Sequence, residues 1–197
     1  MRAMRIVVCV LLMAGALALA AQDTKLVRVV VETELGEIEI EIDAGRAPVT
    51  AANFLRYVDA GYYHGGVVHR TVKLDPDNQP NNTVKIAVIQ AGPNPERKEL
   101  FPAIPLERTT KTGLRHSDGA ISMARDAPDT AQGDFFLCIG DQPELDFGGK
   151  RNPDGQGFAA FGRVTRGMEL VRRIQRAPAS AQRLTPPVKI LRIRRIG

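Results

Sequence analysis

A histidine followed by an arginine is the first place where residue types in this sequence could do chemistry. His69 and Arg70 lie within a stretch of mainly β-branched residues, Val67–Val72, that is typical of a strand. A guanidinium stays charged at neutral pH and presents a rigid fork of N–H donors, so Arg70 could donate hydrogen bonds to a bound group. Taken alone, Arg70 is explained more simply as an exposed strand arginine that forms a salt bridge.

Motifs for metals and cofactors are incomplete. The Asp-Phe-Gly sequence at 146–148 resembles a kinase metal motif, but the order of the motifs and the chain length are wrong for a kinase. The Asp- and Asn-containing loops at 75–78 and 152–154 lack the glutamate that completes a calcium loop. Three histidines are too far apart to indicate a zinc site: His64, His69 and His116. We therefore predict no metal and no cofactor.

Hydrophobic patterning predicts the strands and helices that must position these residues. Residues 27–31 and 38–42 alternate or run β-branched on either side of a turn, which predicts a hairpin. Six further stretches are predicted as strands: 67–72, 84–91, 119–124, 134–139, 158–164 and 188–196. Helices are predicted from Pro48 onward and over 168–176. Many short strands without βα alternation favour an antiparallel sandwich or a closed barrel.

Length and composition limit the class of protein. The 197 residues favour one domain, since domains usually have about 100 to 200 residues. The net charge of +5 is scattered along the chain, and with no Trp, 7 Phe and 3 Tyr few aromatic rings could stack on bases. We therefore do not expect nucleic acid as a partner.

The first twenty residues have the pattern of a signal peptide. Arg2 and Arg5 precede an apolar run over 6–19, and Ala-Leu-Ala at 18–20 fits a signal-peptidase site. The alternative, a membrane anchor, would need roughly 20 apolar residues. We predict a signal peptide at 1–20, a domain at 21–197, and an exported protein that is periplasmic or secreted. Cleavage would leave Cys138 as the remaining cysteine, so no internal disulfide could form.

Several collinear motifs together resemble the cyclophilin family of peptidyl-prolyl cis/trans isomerases. Their positions are 48–54, 67–72, 119–124, 132–137, 158–164 and 167–171. The resemblance spans roughly residues 27 to 196. It implies a mainly β fold: a closed antiparallel barrel of eight strands with two capping helices and an active-site groove on the outer face.

The resemblance also implies roles for particular residues. Arg70 would stabilise a twisted prolyl amide, and Gln90 would bind the peptide and steady the arginine. The proline pocket would be lined by Phe136, Leu145 and Phe158. The backbone at Ala124 and Arg125 would pair with the peptide as an added strand. His69 is interpreted as a packed or hydrogen-bonded histidine rather than a general base, because isomerisation transfers no proton to the substrate.

Some residues depart from the family pattern. Ala87 and Val88 stand where the family has larger side chains, so the pocket could be wider or closed by another group. Asp134 and Glu144 add negative charge near the site, which suggests a preference for basic peptides or reduced turnover. Arg125 replaces an asparagine, and residues 73–83 form an insertion beside the groove. Val88 and Asp134 remain candidate substrate-binding residues.

The sequence therefore favours an isomerase that accelerates X-Pro isomerisation in folding exported proteins. Its expected partners are proline-containing segments of unfolded or partly folded proteins; we expect a monomer without membrane association after signal cleavage. The alternative is a cyclophilin-like peptide-binding or chaperone module with weak or no catalysis. A barrel that serves only as a scaffold for a protein partner is a third interpretation.

Overall fold

Eight antiparallel strands close into a barrel in the computed structural model, which describes residues 25–197. The strands are β1 Leu26–Thr33, β2 Gly36–Asp43, β3 Val67–Val72, β4 Val88–Gly92, β5 Ala120–Met123, β6 Phe135–Cys138, β7 Ala159–Arg166, β8 Ala179–Ser180 and β9 Arg183–Ile196. The ring runs β1-β2-β7-β5-β6-β4-β3-β9 and closes where β9 pairs with β1. The two-residue β8 pairs with β9 outside this ring. The predicted eight-stranded closed barrel is confirmed.

Strand alternation places an apolar interior against a more polar outer face. In β2 the side chains of Ile38, Ile40 and Ile42 are buried, while those of Glu39 and Glu41 are partly exposed. Because successive side chains of a strand point to opposite faces, the three isoleucines share the barrel interior. This hairpin is predicted correctly from its pattern.

Two helices of 12 and 9 residues within the described part of the chain pack on the barrel. Helix α1, Pro48–Asp59, lies against β2, β7 and β9, and helix α3, Met168–Arg176, lies against β2, β3 and β4. Proline at the first position of α1 suits a helix start, since its missing N–H has no intrahelical partner there. A third helix, α2 Thr109–Thr112, was not predicted, because four residues are too few to show helical periodicity.

The start of β4 corrects one predicted boundary. The pattern predicts a strand over 84–91, but the strand begins only at Val88. The amide of Ile86 binds the Gln79 side chain, and the amide of Ala87 binds the Gln142 side chain. Both groups are therefore satisfied by side chains rather than by a neighbouring strand.

Two apolar clusters make up the core. The larger cluster fills the barrel and includes Phe54, Phe135 and Phe161. The smaller cluster includes Val88, Phe136 and Leu145. Since Phe135 lies in the first cluster and Phe136 in the second, strand alternation puts the smaller cluster on the outer face of the sheet.

The predicted signal peptide at 1–20 lies outside the described residues. Within residues 25–197, no helix is long and apolar enough to cross a membrane.

Candidate active site

An extra residue in β3 brings Arg70 to the same face as Gln90. Val68 pairs with Ala91, but Arg70 pairs with Gln90, so the register shifts at His69. Such a bulge places two residues of one strand opposite one residue of its partner. Val68 points into the barrel, and without the bulge alternation would turn Arg70 inward as well. The bulge therefore presents the guanidinium on the outer face.

The guanidinium of Arg70 is held from two sides. Its Nη1 donates to Gln90 Oε1 at 2.9 Å, and its Nε and Nη2 both donate to Gln182 Oε1, at 2.8 and 2.6 Å. Burial lowers the pKa of Arg70 from its usual value, but an arginine still remains charged at neutral pH. Of its five N–H groups, three are bound by these glutamines within the described residues. The other two can donate to a ligand.

An acidic residue fixes the orientation of Gln90. Gln90 Nε2 donates to Asp134 Oδ2 at 3.1 Å, and His69 Nε2 lies 3.6 Å from the same oxygen. An ionised carboxylate only accepts hydrogen bonds, so Gln90 must direct its amide nitrogen to Asp134 and its oxygen to Arg70. Burial raises the pKa of Asp134 above its ordinary value, an effect that His69 and Gln90 partly offset.

A groove of about 370 Å³ lies beside these side chains. All nine residues predicted for the site line it: Arg70, Val88, Gln90, Ala124, Arg125, Asp134, Phe136, Leu145 and Phe158. Phe136 packs edge-on against Phe158 with ring centroids 5.4 Å apart. Phe136 is only 5% exposed and Leu145 only 1%, so the apolar pocket is shallow in this conformation. Whether each residue contacts a substrate stays a prediction.

Other residues line the part of the groove wall where the family has a larger side chain than Ala87. Ala87 is buried, while Ile86 and Val88 on either side of it line the groove together with Arg151. Arg151 Nη1 donates to Gln79 Oε1 at 2.8 Å and to the carbonyl of Val84 at 2.6 Å. These bonds join the loop at 146–157 to the insertion at 73–83 and to the residue that follows it. A cationic side chain therefore forms part of this wall.

Comparison with known proteins gives the family. The sequence matches the family model described as cyclophilin type peptidyl-prolyl cis-trans isomerase/CLD over residues 28–195. The chain belongs to the cyclophilin family. It is 31% identical over 185 residues to a peptidyl-prolyl cis-trans isomerase of Acinetobacter baylyi, covering 91% of this chain and 90% of the relative. It is 34% identical over 147 residues to peptidyl-prolyl cis-trans isomerase A of Dickeya dadantii, covering 74% and 70%.

Solved structures agree on the fold. A crystal structure of a Cryptosporidium parvum cyclophilin type peptidyl-prolyl cis-trans isomerase superposes with a TM-score of 0.69 at 19% identity, covering 87% of this chain and 98% of that one. A second structure of that protein, in the presence of the dipeptide Ala-Pro, gives 0.69 at 20% identity, covering 86% and 99%. This cyclophilin is a peptidyl-prolyl cis-trans isomerase, and its family binds proline-containing peptides.

The charge of this cyclophilin's groove differs from the sequence expectation. Glu144 is not among the residues that line the groove, and its carboxylate accepts a hydrogen bond from the amide of Lys150 at 2.7 Å. The charged lining residues are Arg70, Arg125, Asp126, Asp134 and Arg151. Acidic groups therefore do not dominate, and the suggested preference for basic peptides loses one of its two supports.

The Arg125 side chain is buried and bound to the loop at 146–157. It is 1% exposed, forms two hydrogen bonds with Asp154 at 2.8 and 3.1 Å, and donates to the carbonyl of Gly157. Its guanidinium also lies 5.0 Å from the ring centre of Phe158. Arg125 thus ties the loop at 146–157 to the rim of the groove.

A buried hydrogen-bonded chain lies behind the apolar pocket that Phe136 and Leu145 line in this cyclophilin, and the sequence motifs did not predict it. Asp146 Oδ1 lies 2.7 Å from His116 Nδ1, and His116 Nε2 lies 2.9 Å from Ser122 Oγ. The residue types are those of a hydrolase triad, but Ser122 and the His116 side chain are both 0% exposed, so no substrate can reach them. The His116 ring stacks on Phe136 at 5.9 Å. The chain therefore supports the pocket floor from inside.

Gln182 is the other residue that sequence reasoning missed. It lies 112 positions after Arg70 and outside every motif that carries the family resemblance. A signal for Ser122 existed, since a serine interrupts a predicted apolar strand. For Gln182 the local sequence offers no comparable signal.

Proposed function

We propose that Arg70 is the group that accelerates rotation about the X-Pro bond in this groove. Crossing between the isomers costs about 18 to 20 kcal/mol, because rotation breaks the conjugation of the amide. In the twisted state the prolyl nitrogen regains a lone pair that can accept a hydrogen bond. A fixed donor that meets this nitrogen stabilises the twisted state more than the planar amide, which is how binding becomes catalysis.

The observation that carries this proposal is the position of the two available N–H groups of Arg70. They belong to a guanidinium fixed by Gln90 and Gln182, and Arg70 lines the groove together with Phe136. A proline ring in that pocket would bring its nitrogen close to the guanidinium. No proton transfer, cofactor or covalent step is needed.

The groove also offers a backbone edge on which a peptide can be held. The backbone N–H and C=O of Arg125 form no hydrogen bond with other residues among those the structure describes. An extended peptide could pair with them as an added strand, which fixes its direction along the groove. We propose that Ala124 and Arg125 bind the substrate through backbone atoms.

Exchange spectroscopy on an Ala-Pro peptide tests the role of Arg70. The wild type should accelerate cis/trans exchange, and Arg70→Ala should lower kcat by about 100-fold, the usual effect of removing one electrostatic donor. Arg70→Lys keeps the charge but not the fork, so it should recover only part of the loss. Wild-type kcat in Arg70→Ala would exclude this mechanism.

A second candidate function is peptide binding with weak catalysis. It is favoured by the shallow pocket, in which the Phe136 ring is only 5% exposed. Titration of the same peptide, followed by amide chemical shifts, separates the two functions. Saturable binding without faster exchange would select the binding module.

We also propose that this cyclophilin acts on folding proteins after export and does so as a monomer. The apolar run at 6–19 and the small residues at 18–20 support the export step. Mass spectrometry of the protein from a bacterial periplasmic fraction should give a chain that begins at residue 21. Sedimentation equilibrium of that chain should give the mass of one copy, and an uncleaved or dimeric protein would contradict the proposal.

A further inference from the structure

The Nε and Nη2 edge of the Arg70 guanidinium is bound by Gln182, which lies outside every motif that carries the family resemblance. A single oxygen, Gln182 Oε1, accepts hydrogen bonds from both Nε and Nη2 of Arg70. One acceptor between two donors of a planar group fixes both the position and the plane of that group. With Gln90 on Nη1, the guanidinium is held at three of its N–H groups.

Gln182 is itself fixed by the insertion at 73–83. Its Nε2 donates to the carbonyl of Asn78 at 2.8 Å, and Asn78 Nδ2 donates back to the carbonyl of Ala181 at 2.6 Å. Because the Gln182 amide nitrogen is bound to a carbonyl, which cannot donate, the amide oxygen must face Arg70. The carbonyl of Gln182 also accepts from the amide of Thr71 at 2.8 Å, which joins this turn to β3.

The insertion is well joined to the rest of the fold at this point. Asn78 is 8% exposed, and its Oδ1 accepts a hydrogen bond from the amide of Lys73 at 2.8 Å. Its two side-chain bonds therefore link the start of the insertion to the turn between β8 and β9. Movement of this part of the insertion would change the acceptor that Arg70 meets.

We propose that Gln182 is a positioning residue for Arg70, and that the insertion at 73–83 acts on the groove through it. The inference rests on the proposed role of Arg70 in isomerisation. The two glutamines then hold the guanidinium together: Asp134 orients Gln90 on one side, and Asn78 orients Gln182 on the other. Together they leave two N–H groups of the guanidinium directed to a substrate.

The test replaces Gln182 with methionine, which has a similar length but no amide. Gln182→Met should lower kcat about tenfold with KM changed less than about twofold, since a misplaced catalytic group impairs the reaction more than peptide binding. Gln175→Met is the matched control. Gln175 also donates its amide to a backbone carbonyl, that of Val72 at 3.1 Å, but the side-chain acceptors of Arg70 are Gln90 and Gln182. This control should keep wild-type kcat.

Two readouts separate positioning from a general structural effect. The Arg70 Nε–Hε signal in ¹⁵N NMR should exchange faster with water in Gln182→Met and stay unchanged in Gln175→Met. In an Arg70→Lys background, Gln182→Met should cause no further loss of kcat, because the fork it positions is gone. An equal loss in both backgrounds would overturn the positioning role.

Asn78→Ala provides a second, milder variant that leaves Gln182 in place. It should lower kcat in the same direction by a smaller factor and speed exchange of the Arg70 Hε. If Gln182→Met does not fold, this variant carries the test. Wild-type kcat and wild-type Hε exchange in Asn78→Ala would overturn the role of the insertion.

The outcomes also distinguish this inference from the proposed function. Equal kcat for wild type and Arg70→Ala would refute the catalytic role of Arg70 itself. An impaired Arg70→Ala together with wild-type kcat in Gln182→Met would refute only the positioning role.

Discussion

In the proposed mechanism, Arg70 becomes useful for catalysis because neighbouring groups restrict its guanidinium. A free arginine side chain has many rotamers and orders poorly. Here two amide oxygens hold the guanidinium, and each amide is oriented by a partner that can only accept. The proposed chemistry therefore depends also on residues that need not touch the substrate.

The carboxylate of Asp134 should give the reaction an acid limb. Its pKa is raised mainly by burial, so as pH falls it protonates earlier than an ordinary carboxyl with a pKa of 3.8. A neutral carboxyl binds Gln90 Nε2 more weakly and can itself donate, which loosens the orientation of Gln90. We expect kcat to fall as the pH approaches this raised pKa from above.

The pH profile of kcat for Asp134→Asn checks this prediction. An amide does not titrate, so the acid limb should disappear, while Glu144→Gln, outside the groove, should keep it. A wild-type profile that is flat down to the unfolding pH would contradict the role of Asp134.

The buried Asp146 carboxylate should contribute to stability mainly above the ordinary carboxyl pKa. Burial alone would raise its pKa, but hydrogen bonds from His116 and Arg115 outweigh burial and leave it lowered. A lowered pKa in the folded state means that stabilisation is present above 3.8 and is lost as pH falls through the lowered value. Asp146→Asn should therefore lower the free energy of unfolding by about 1 to 3 kcal/mol at pH 7.

Urea denaturation of wild type and Asp146→Asn at several pH values measures this difference. The gap between the two proteins should narrow below the ordinary carboxyl pKa. A gap that is constant over that range would show that the charge of Asp146 does not matter. Asp141→Asn is the control for loss of an exposed carboxylate, because an asparagine oxygen can still accept the hydrogen bond that the amide of Asp118 donates at 2.9 Å.

Among the strands, alternation predicts most of the barrel but not the bulge in β3. The patterns of β1, β2, β6 and β7 locate the strands within one or two residues, because each strand has one face in the core. The pattern of Val67–Val72 does not reveal that Arg70 pairs with Gln90 rather than Ile89. That register depends on contacts with β4, which lies 16 residues further along the chain. The resemblance, not the pattern, predicted that Arg70 and Gln90 meet.

The sequence did not predict the contact of Gln182 with Arg70 or the buried hydrogen bonds of His116, and the physical reason is the same for both. Each depends on hydrogen bonds between residues distant in sequence, as in the pair Arg70 and Gln182 or the pair His116 and Asp146. Local patterning reports which face a residue occupies and carries no information on its distant partner.

Helix α1 depends on a carboxylate from outside the helix. Its N-cap residue, Ala47, offers no side-chain bond, and Glu107 instead accepts from the amides of Thr50 at 2.7 Å and Val49 at 3.3 Å. A negative charge at a helix N-terminus is favourable because the first amides have no other partners. Glu107→Ala should lower the free energy of unfolding by about 1 to 2 kcal/mol.

Urea denaturation followed by circular dichroism measures the effect of Glu107→Ala. Glu107→Gln keeps one acceptor and should lose less, and Glu99→Ala on an exposed segment should lose almost nothing. Because Glu107 does not line the groove, kcat at 25 °C should be unchanged. Equal stability of Glu107→Ala and wild type would contradict the capping role.

Pairing of β1 with β9 joins the two ends of the described chain. Val29 pairs with Arg195 and Val31 pairs with Ile193, so the barrel closes only when the last strand is in place. The groove strands β3, β4, β5 and β6 belong to the same ring. Unfolding of the barrel should therefore expose the smaller apolar cluster, which contains Phe136, together with the larger one.

Cys138 provides a reporter of that global opening. Its side chain is 0% exposed in β6, within the apolar cluster that also contains Phe136, and it forms no disulfide within residues 25–197. Burial raises the pKa of the Cys138 thiol, so almost none of the reactive thiolate is present in the folded state. The thiol should react with an aromatic disulfide reagent only when the barrel unfolds.

Labelling kinetics in increasing urea test this expectation on the chain that lacks residues 1–20. In the absence of urea the labelling rate should be lower than that of the unfolded chain by the unfolding equilibrium constant, and it should rise with urea with the same slope as global unfolding. Asp146→Asn should speed labelling by the factor that its loss of stability predicts. Fast labelling that does not depend on urea would instead mean that the smaller apolar cluster opens locally while the barrel stays closed. The pocket floor at Phe136 would then be an independently mobile unit.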